Sequence, residues 1–180
     1  PETETRALSK QALESLRAFA ADKTALAIGP GIGTHPETQA LVHNLLVEVN
    51  KPMVLDADGI NAMAGHREML GRAQGPLVLT PHPGEMARLF GITSAEVQRD
   101  RLGVAARLAC EQHVCVVLKG AGTIVAGPDG RLAVNNARLP RLADGLPFDF
   151  RSRTGHGHGI GLHVRRRFRR IAARERVIER

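Results

Sequence analysis

The feature that most constrains this chain is the way its apolar stretches end. Short apolar runs at 24–28, 53–56, 77–80 and 114–118 each stop at a cluster of glycine, proline, aspartate, histidine or lysine. The segments between them carry helical spacing. Leu8, Ala12, Leu13, Leu16, Phe19 and Ala20 predict an amphipathic helix over 8–21. A second helix is expected over 37–50, with Pro36 near its first turn, where a missing N–H is harmless. A third opens at Pro83. A long one is expected from Ser94, its N-cap, through Val97, Leu102, Ala105, Leu108 and Ala109. Two last strands, 123–126 and 132–134, flank Pro128-Asp129-Gly130, which predicts a hairpin turn. Strands alternating with helices predict an α/β fold with a mostly parallel sheet and helices on both faces. Ligands bind such folds beyond the C-terminal ends of the strands.

Charge divides the chain in two. The 180 residues carry a formal +7, yet residues 137–180 hold twelve Arg, no Lys and four acids, a net +8. Residues 1–136 are therefore near neutral at −1, and the total is poor evidence for a nucleic-acid partner. With 43% hydrophobic residues the composition is that of a globular domain. The longest apolar run, Val114-Cys115-Val116-Val117-Leu118, is far short of the ~20 residues of a membrane span. No basic-then-apolar segment opens the chain, so a cytoplasmic protein is expected. Cys110 and Cys115 are expected as reduced, mostly buried thiols.

The strand-end clusters carry the chemistry. Gly29-Pro30-Gly31-Ile32-Gly33 lets the main chain turn sharply and approach a ligand with free N–H groups. It is neither a GxGxxG fingerprint nor a Walker A loop. In Asp56-Ala57-Asp58-Gly59-Ile60-Asn61, Asp56 at the strand end is the functional candidate, and Asp58 is expected to cap the next helix. In Thr80-Pro81-His82-Pro83-Gly84-Glu85, two prolines stiffen the backbone around His82 beside a helix N-terminus, suiting it to ligand contact. Lys119-Gly120-Ala121-Gly122-Thr123 sets one cation and several N–H groups at a strand end, as a nucleotide-phosphate site would. No metal-ligating cluster stands out.

In this order and at these spacings, GPGIG, DADGIN, LTPHPGEMARL and VLKGAGT resemble the ADP/ATP-dependent NAD(P)H-hydrate dehydratase family of the ribokinase-like superfamily, from about Ala25 to Asn135. The resemblance implies a three-layer sandwich, here incomplete. It implies a carbon–oxygen lyase that restores the S form of hydrated NADH or NADPH, using ADP or ATP with Mg²⁺. Gly31, Gly33, Asp56, Asn61, His82, Pro83, Gly84, Glu85 and Arg88 would contact the hydrate. Lys119, Gly120, Ala121, Gly122 and Thr123 would hold the nucleotide. A homo-oligomer is implied for the intact family domain. Two alternatives stand beside this reading: a ribokinase-like kinase of a vitamin precursor, and an Arg-rich nucleic-acid binder.

The resemblance breaks after Asn135. The family's TGNPG-x-A-T-G-G-x-G-D segment combines an anion hole with the catalytic aspartate. An ungapped overlay puts Asp149 where that aspartate belongs, but the glycines expected at 138, 141, 146 and 148 are Arg138, Arg141, Leu146 and Phe148. Side chains there would fill an anion hole, so impaired activity is expected. The domain reading is a partial dehydratase domain over 1–136 and an aberrant Arg-rich segment over 137–180, with the look of a reading-frame change. The strands and substrate loop that the family places before Thr24 are also missing from the expected domain.

Overall fold

The computed structural model describes residues 1–135. The Arg-rich segment 137–180 lies outside the described residues, and with it Asp149 and the altered glycine positions. Six strands form one sheet in sequential order: β1 (Leu26–Ile28), β2 (Met53–Leu55), β3 (Leu77–Leu79), β4 (Cys115–Leu118), β5 (Thr123–Ala126) and β6 (Leu132–Asn135). β1 to β4 are mutually parallel, while β5 and β6 run antiparallel to their neighbours through the expected hairpin. Gly130 turns that hairpin at φ 81°, and the Gly127 N–H closes it on the Arg131 carbonyl at 2.9 Å.

The helices are α1 (Leu13–Ala20), entered through a 3-10 turn at Lys10–Ala12, α2 (Pro36–Glu48), α3 (Ala57–Asn61), α4 (Pro83–Phe90), α5 (Ser94–Arg99) and α6 (Arg101–Gln112). A further 3-10 segment, Arg67–Arg72, bridges α2 and α6. Right-handed crossovers between parallel strands in sequential order pass over the same side of a sheet. Burial follows that rule. Met53, Leu55, Leu77, Leu79, Val116, Leu118, Ile124 and Ala126 are all buried on one face. On the other face Val54, Val78, Val117 and Val125 are half-buried and Ala27 is exposed. Among the described residues the core therefore sits between one sheet face and the layer of α1, α2, residues 67–72 and α6, not equally on both faces as the alternation suggested.

Four local expectations are corrected. The long helix from Ser94 is two helices, because Asp100 leaves helical geometry and caps α6 through the Gly103 N–H at 2.9 Å. Its start is capped by Thr93 and not Ser94, in a capping box with Glu96. Phe19 is 51% exposed; its ring packs under the Lys23 ammonium at 4.6 Å. The cysteines are less buried than expected. Cys110 is exposed and Cys115 half-buried. Burial, with some help from Asp129, pushes the Cys115 thiol above its ordinary range, which makes it a poor nucleophile.

The close packing of the first two strand ends rests on glycine. A Cβ on Gly29, at φ 146°, would lie 1.7 Å from the Asp56 carbonyl oxygen, whereas one on Gly31, at φ 77°, would meet nothing within 4 Å. Gly29→Ala is therefore expected to cost about 3 kcal/mol or more, from overlap plus left-handed strain, and Gly31→Ala about 1 kcal/mol from strain alone. Urea denaturation of both variants checks the order; equal midpoints would refute it.

Candidate active site

Because β1 to β4 are adjacent and parallel, their C-terminal ends bring the four strand-end loops into one row. Asp56 follows β2 and occupies the N-cap position of α3, yet its side chain makes no cap bond. The next residue, Ala57, has φ 45°, a conformation that is uncommon for a residue with a Cβ. The Asp56 carboxylate instead accepts from the Thr80 hydroxyl at 2.9 Å and the Lys119 ammonium at 2.7 Å. One carboxylate thus joins the ends of β2, β3 and β4.

Glu85 completes this cluster from α4. It is 4% exposed. Its Oε2 accepts the His82 N–H at 2.7 Å and lies 3.9 Å from Lys119 Nζ. His82 is itself the N-cap of α4, with Nδ1 accepting from the Gly84 and Glu85 N–H groups at 2.9 and 3.3 Å. An imidazole nitrogen that accepts two N–H groups carries no proton, so the neutral ring is protonated on Nε2. That nitrogen lies 3.4 Å from Glu85 Oε1. Pro83 takes the first helical position, where its fixed φ fits the helix.

A second chain of contacts joins the remaining loops. Asp58, expected as a cap, lies inside α3 and accepts the Gly33 N–H at 3.0 Å. Asn61 sits beside it, and its Oδ1 accepts from Arg88 Nε at 2.8 Å. The Gly31–Gly33 turn, α3 and α4 are thereby held together. Gly59 closes the contact from the other side, since a Cβ there would lie 2.5 Å from the Ile28 carbonyl oxygen. The 119–123 loop follows β4, with Gly120 and Gly122 at φ 146° and 67°. A cleft of about 310 Å³ adjoins it, lined by Asp100, Arg101, Leu102, Ala121, Gly122 and Ile124 among others.

Of the candidates read from the sequence, Asp56, Glu85 and Lys119 are in one cluster, and Gly33, Asn61 and Arg88 are tied through Asp58. Asp149 lies outside the described residues. Sequence reasoning missed Thr80 and Asp58, although a hydroxyl directly after β3 and a second carboxylate two residues after Asp56 were both visible. Among the described residues no three His, Cys, Asp or Glu side chains converge as a metal site.

Partial burial by itself would raise the Asp56 carboxyl. The Lys119 and Thr80 hydrogen bonds and the Lys119 charge outweigh it and hold the group below its ordinary value of 3.8. A carboxylate depressed on folding adds stability above its unfolded pKa and loses it as pH falls through the folded one. Asp56→Asn should therefore be less stable than the unaltered chain near neutrality, with the gap closing below about pH 4. Thermal melting from pH 7 to 2.5 checks this; a gap independent of pH would sink it.

Comparison with known proteins gives the family. A sequence profile of NAD(P)H-hydrate dehydratases matches residues 1–145. A bifunctional NAD(P)H-hydrate repair enzyme of Moorella thermoacetica is 49% identical over 143 residues, covering 79% of this chain and 27% of that protein. An ADP-dependent (S)-NAD(P)H-hydrate dehydratase of Neisseria meningitidis is 40% identical over 125 residues, covering 68% and 42%. The crystal structure of the ADP/ATP-dependent NAD(P)H-hydrate dehydratase of Bacillus subtilis with ATP/Mg²⁺ superposes with a TM-score of 0.53 at 35% identity, covering 67% of this chain and 43% of that one. The likeness extends to a solved ribokinase-like protein at an identity that carries the fold alone. The chain spans well under half the length of these relatives. Neither a vitamin-precursor kinase nor a nucleic-acid binder is favoured by these matches. With its α/β fold, its strand-end loops and these matches, the chain belongs to the NAD(P)H-hydrate dehydratase family.

Proposed function

We propose that this chain supplies the hydrate-holding and nucleotide-holding loops of an ADP-dependent dehydratase acting on the S form of hydrated NADH or NADPH. The observation that carries the reading is the Lys119–Asp56–Thr80–Glu85 cluster, which ties the nucleotide loop to the loops assigned to the hydrate. Phosphoryl transfer is mostly positioning and charge stabilisation, so the two substrates need one shared, rigid floor.

In the proposed chemistry the hydrate hydroxyl attacks the terminal phosphorus of ADP and its proton passes to a base. The phosphorus–oxygen bond to AMP breaks. Phosphate then leaves with the carbon–oxygen bonding pair, and a ring proton is lost as the double bond re-forms. Gly31 and Gly33, Asp56, Asn61, and His82, Pro83, Gly84, Glu85 and Arg88 are the proposed hydrate contacts. Lys119, Gly120, Ala121, Gly122 and Thr123 are the proposed nucleotide contacts. Mg²⁺ takes oxygen ligands from one or two carboxylates plus substrate phosphates. Asp56 and Glu85 have the donor chemistry for that role, and Mg²⁺ would offset phosphate charge.

Asp149 is the proposed base, with the family's glycine segment altered around it. The same reading takes 1–136 as a partial family domain, the protein as cytoplasmic and the intact domain as a homo-oligomer. Among the described residues no helix is long and apolar enough to cross a membrane.

This reading predicts binding without efficient turnover. ADP should bind the 180-residue chain, and Lys119→Ala should weaken that binding roughly tenfold, as loss of a charged phosphate contact does. Recovery of NADH absorbance from the S hydrate with ADP and Mg²⁺ should be slight. Substantial turnover would refute the expected impairment, and absence of ADP binding would refute the nucleotide assignment. Repeating both measurements with ATP identifies the preferred co-substrate.

A further inference from the structure

We infer that Arg101, on the wall of the cleft beside the nucleotide loop, is a positioning residue that acts through the carbonyls of that loop. The inference rests on the assignment of residues 119–123 to the nucleotide. Arg101 is the first residue of α6, where a cation opposes the positive end of the helix dipole. Helix stabilisation therefore does not account for it. Its guanidinium donates to three carbonyls at the end of β4 and in the loop after it: Nη1 to Ala121 at 2.6 Å, and Nη2 to Leu118 and Lys119, both at 3.4 Å. Its Nε is buried without a partner among the described residues. The group is held in place by its fork end alone.

Those contacts orient the loop. In a trans peptide the carbonyl and the following N–H point in opposite directions. Pinning the Lys119 and Ala121 carbonyls on the guanidinium turns the Gly120 and Gly122 N–H groups away from it. Neither N–H donates to another described residue. The peptide before Lys119 shows the same geometry with a partner in place. Its carbonyl faces Arg101, while its N–H donates to the Pro81 carbonyl at 2.8 Å. Gly120 fits this arrangement because a Cβ there would lie 2.7 Å from Arg101 Nη2.

Charge gives the orientation its consequence. The Lys119 ammonium is already matched by Asp56 at 2.7 Å and Glu85 at 3.9 Å. Beside that partly neutralised ammonium, oriented N–H groups add attraction for a phosphate, and Arg101 on the cleft wall adds positive potential. An arginine fork is suited to this because its donors are planar and fixed, whereas a lysine offers one point charge.

The test uses the whole 180-residue chain with Arg101→Gln and Arg101→Lys, each confirmed as folded by circular dichroism. ADP titration should show roughly tenfold weaker binding for R101Q and a smaller loss for R101K. Binding of the S hydrate should be unchanged in both. Without nucleotide, amide hydrogen exchange should accelerate at Gly120 to Thr123 in R101Q, with exchange in β2 and β3 unaffected. If R101Q does not fold, the same readings on R101K decide. Normal ADP affinity with unchanged loop exchange in the variants would overturn the inference while leaving the nucleotide assignment intact. Failure of the unaltered chain to bind ADP would overturn that assignment and the inference with it.

Discussion

The end of the sheet is organised around one ammonium. Lys119, 30% exposed at its side chain, reaches from the end of β4 past β3 to Asp56 at the end of β2, and Glu85 approaches the same nitrogen from α4. An ammonium and two carboxylates withdrawn from water are tolerated only when paired and hydrogen-bonded. Thr80 bonds Asp56, and the His82 N–H bonds Glu85. Each acid therefore has a partner besides the lysine. Moving any one of these loops would leave a partly buried charge uncompensated. That penalty, more than the strength of any single ion pair, is what keeps three loops in register.

The sheet order makes such a cluster possible. Sequential parallel strands put the ends of β2, β3 and β4 on neighbouring rows, spaced roughly 5 Å apart. Lysine is long enough to span two rows, and the threonine hydroxyl fills the row between. A reordered sheet would place the same motifs on opposite edges. The Gly29–Gly59 approach does for β1 and α3 with backbone contact what Lys119 does for the others with charge.

The positions of the strands and loops were legible because each depends on local chemistry: apolar runs, a proline at a helix start, glycines where φ is positive. What was not legible depends on partners distant in sequence. Asp58 reads as a cap because a carboxylate before a helix usually is one; its partner, the Gly33 N–H, is 25 residues away. Arg101 carries no motif that singles it out, and its partners lie 17 to 20 residues on. The break at Asp100 escaped because apolar spacing continues across it from Val97 to Leu102 and Ala105, while Leu102 is in fact 44% exposed. Cys115 is half-buried because it falls on the less covered sheet face, and a single strand cannot report which of its faces is covered.

The same division explains why the glycines that the family pattern has after Asn135 weigh heavily in the proposed function. In the proposed site a phosphate at 119–123 would meet a lysine already paired with acids, together with oriented peptide dipoles. A phosphoryl group in flight carries more charge than one resting in a loop, and its stabilisation calls for a second set of converging N–H groups. Arg138 and Arg141 can supply charge from sequence positions where the family has glycine. A side chain does not supply the close backbone approach that an anion hole requires, and the proposed impairment rests on Leu146 and Phe148 standing where the family pattern has glycine. Net positive charge is thus no substitute for oriented backbone, and the +8 of this segment does not weigh against the impairment proposed above.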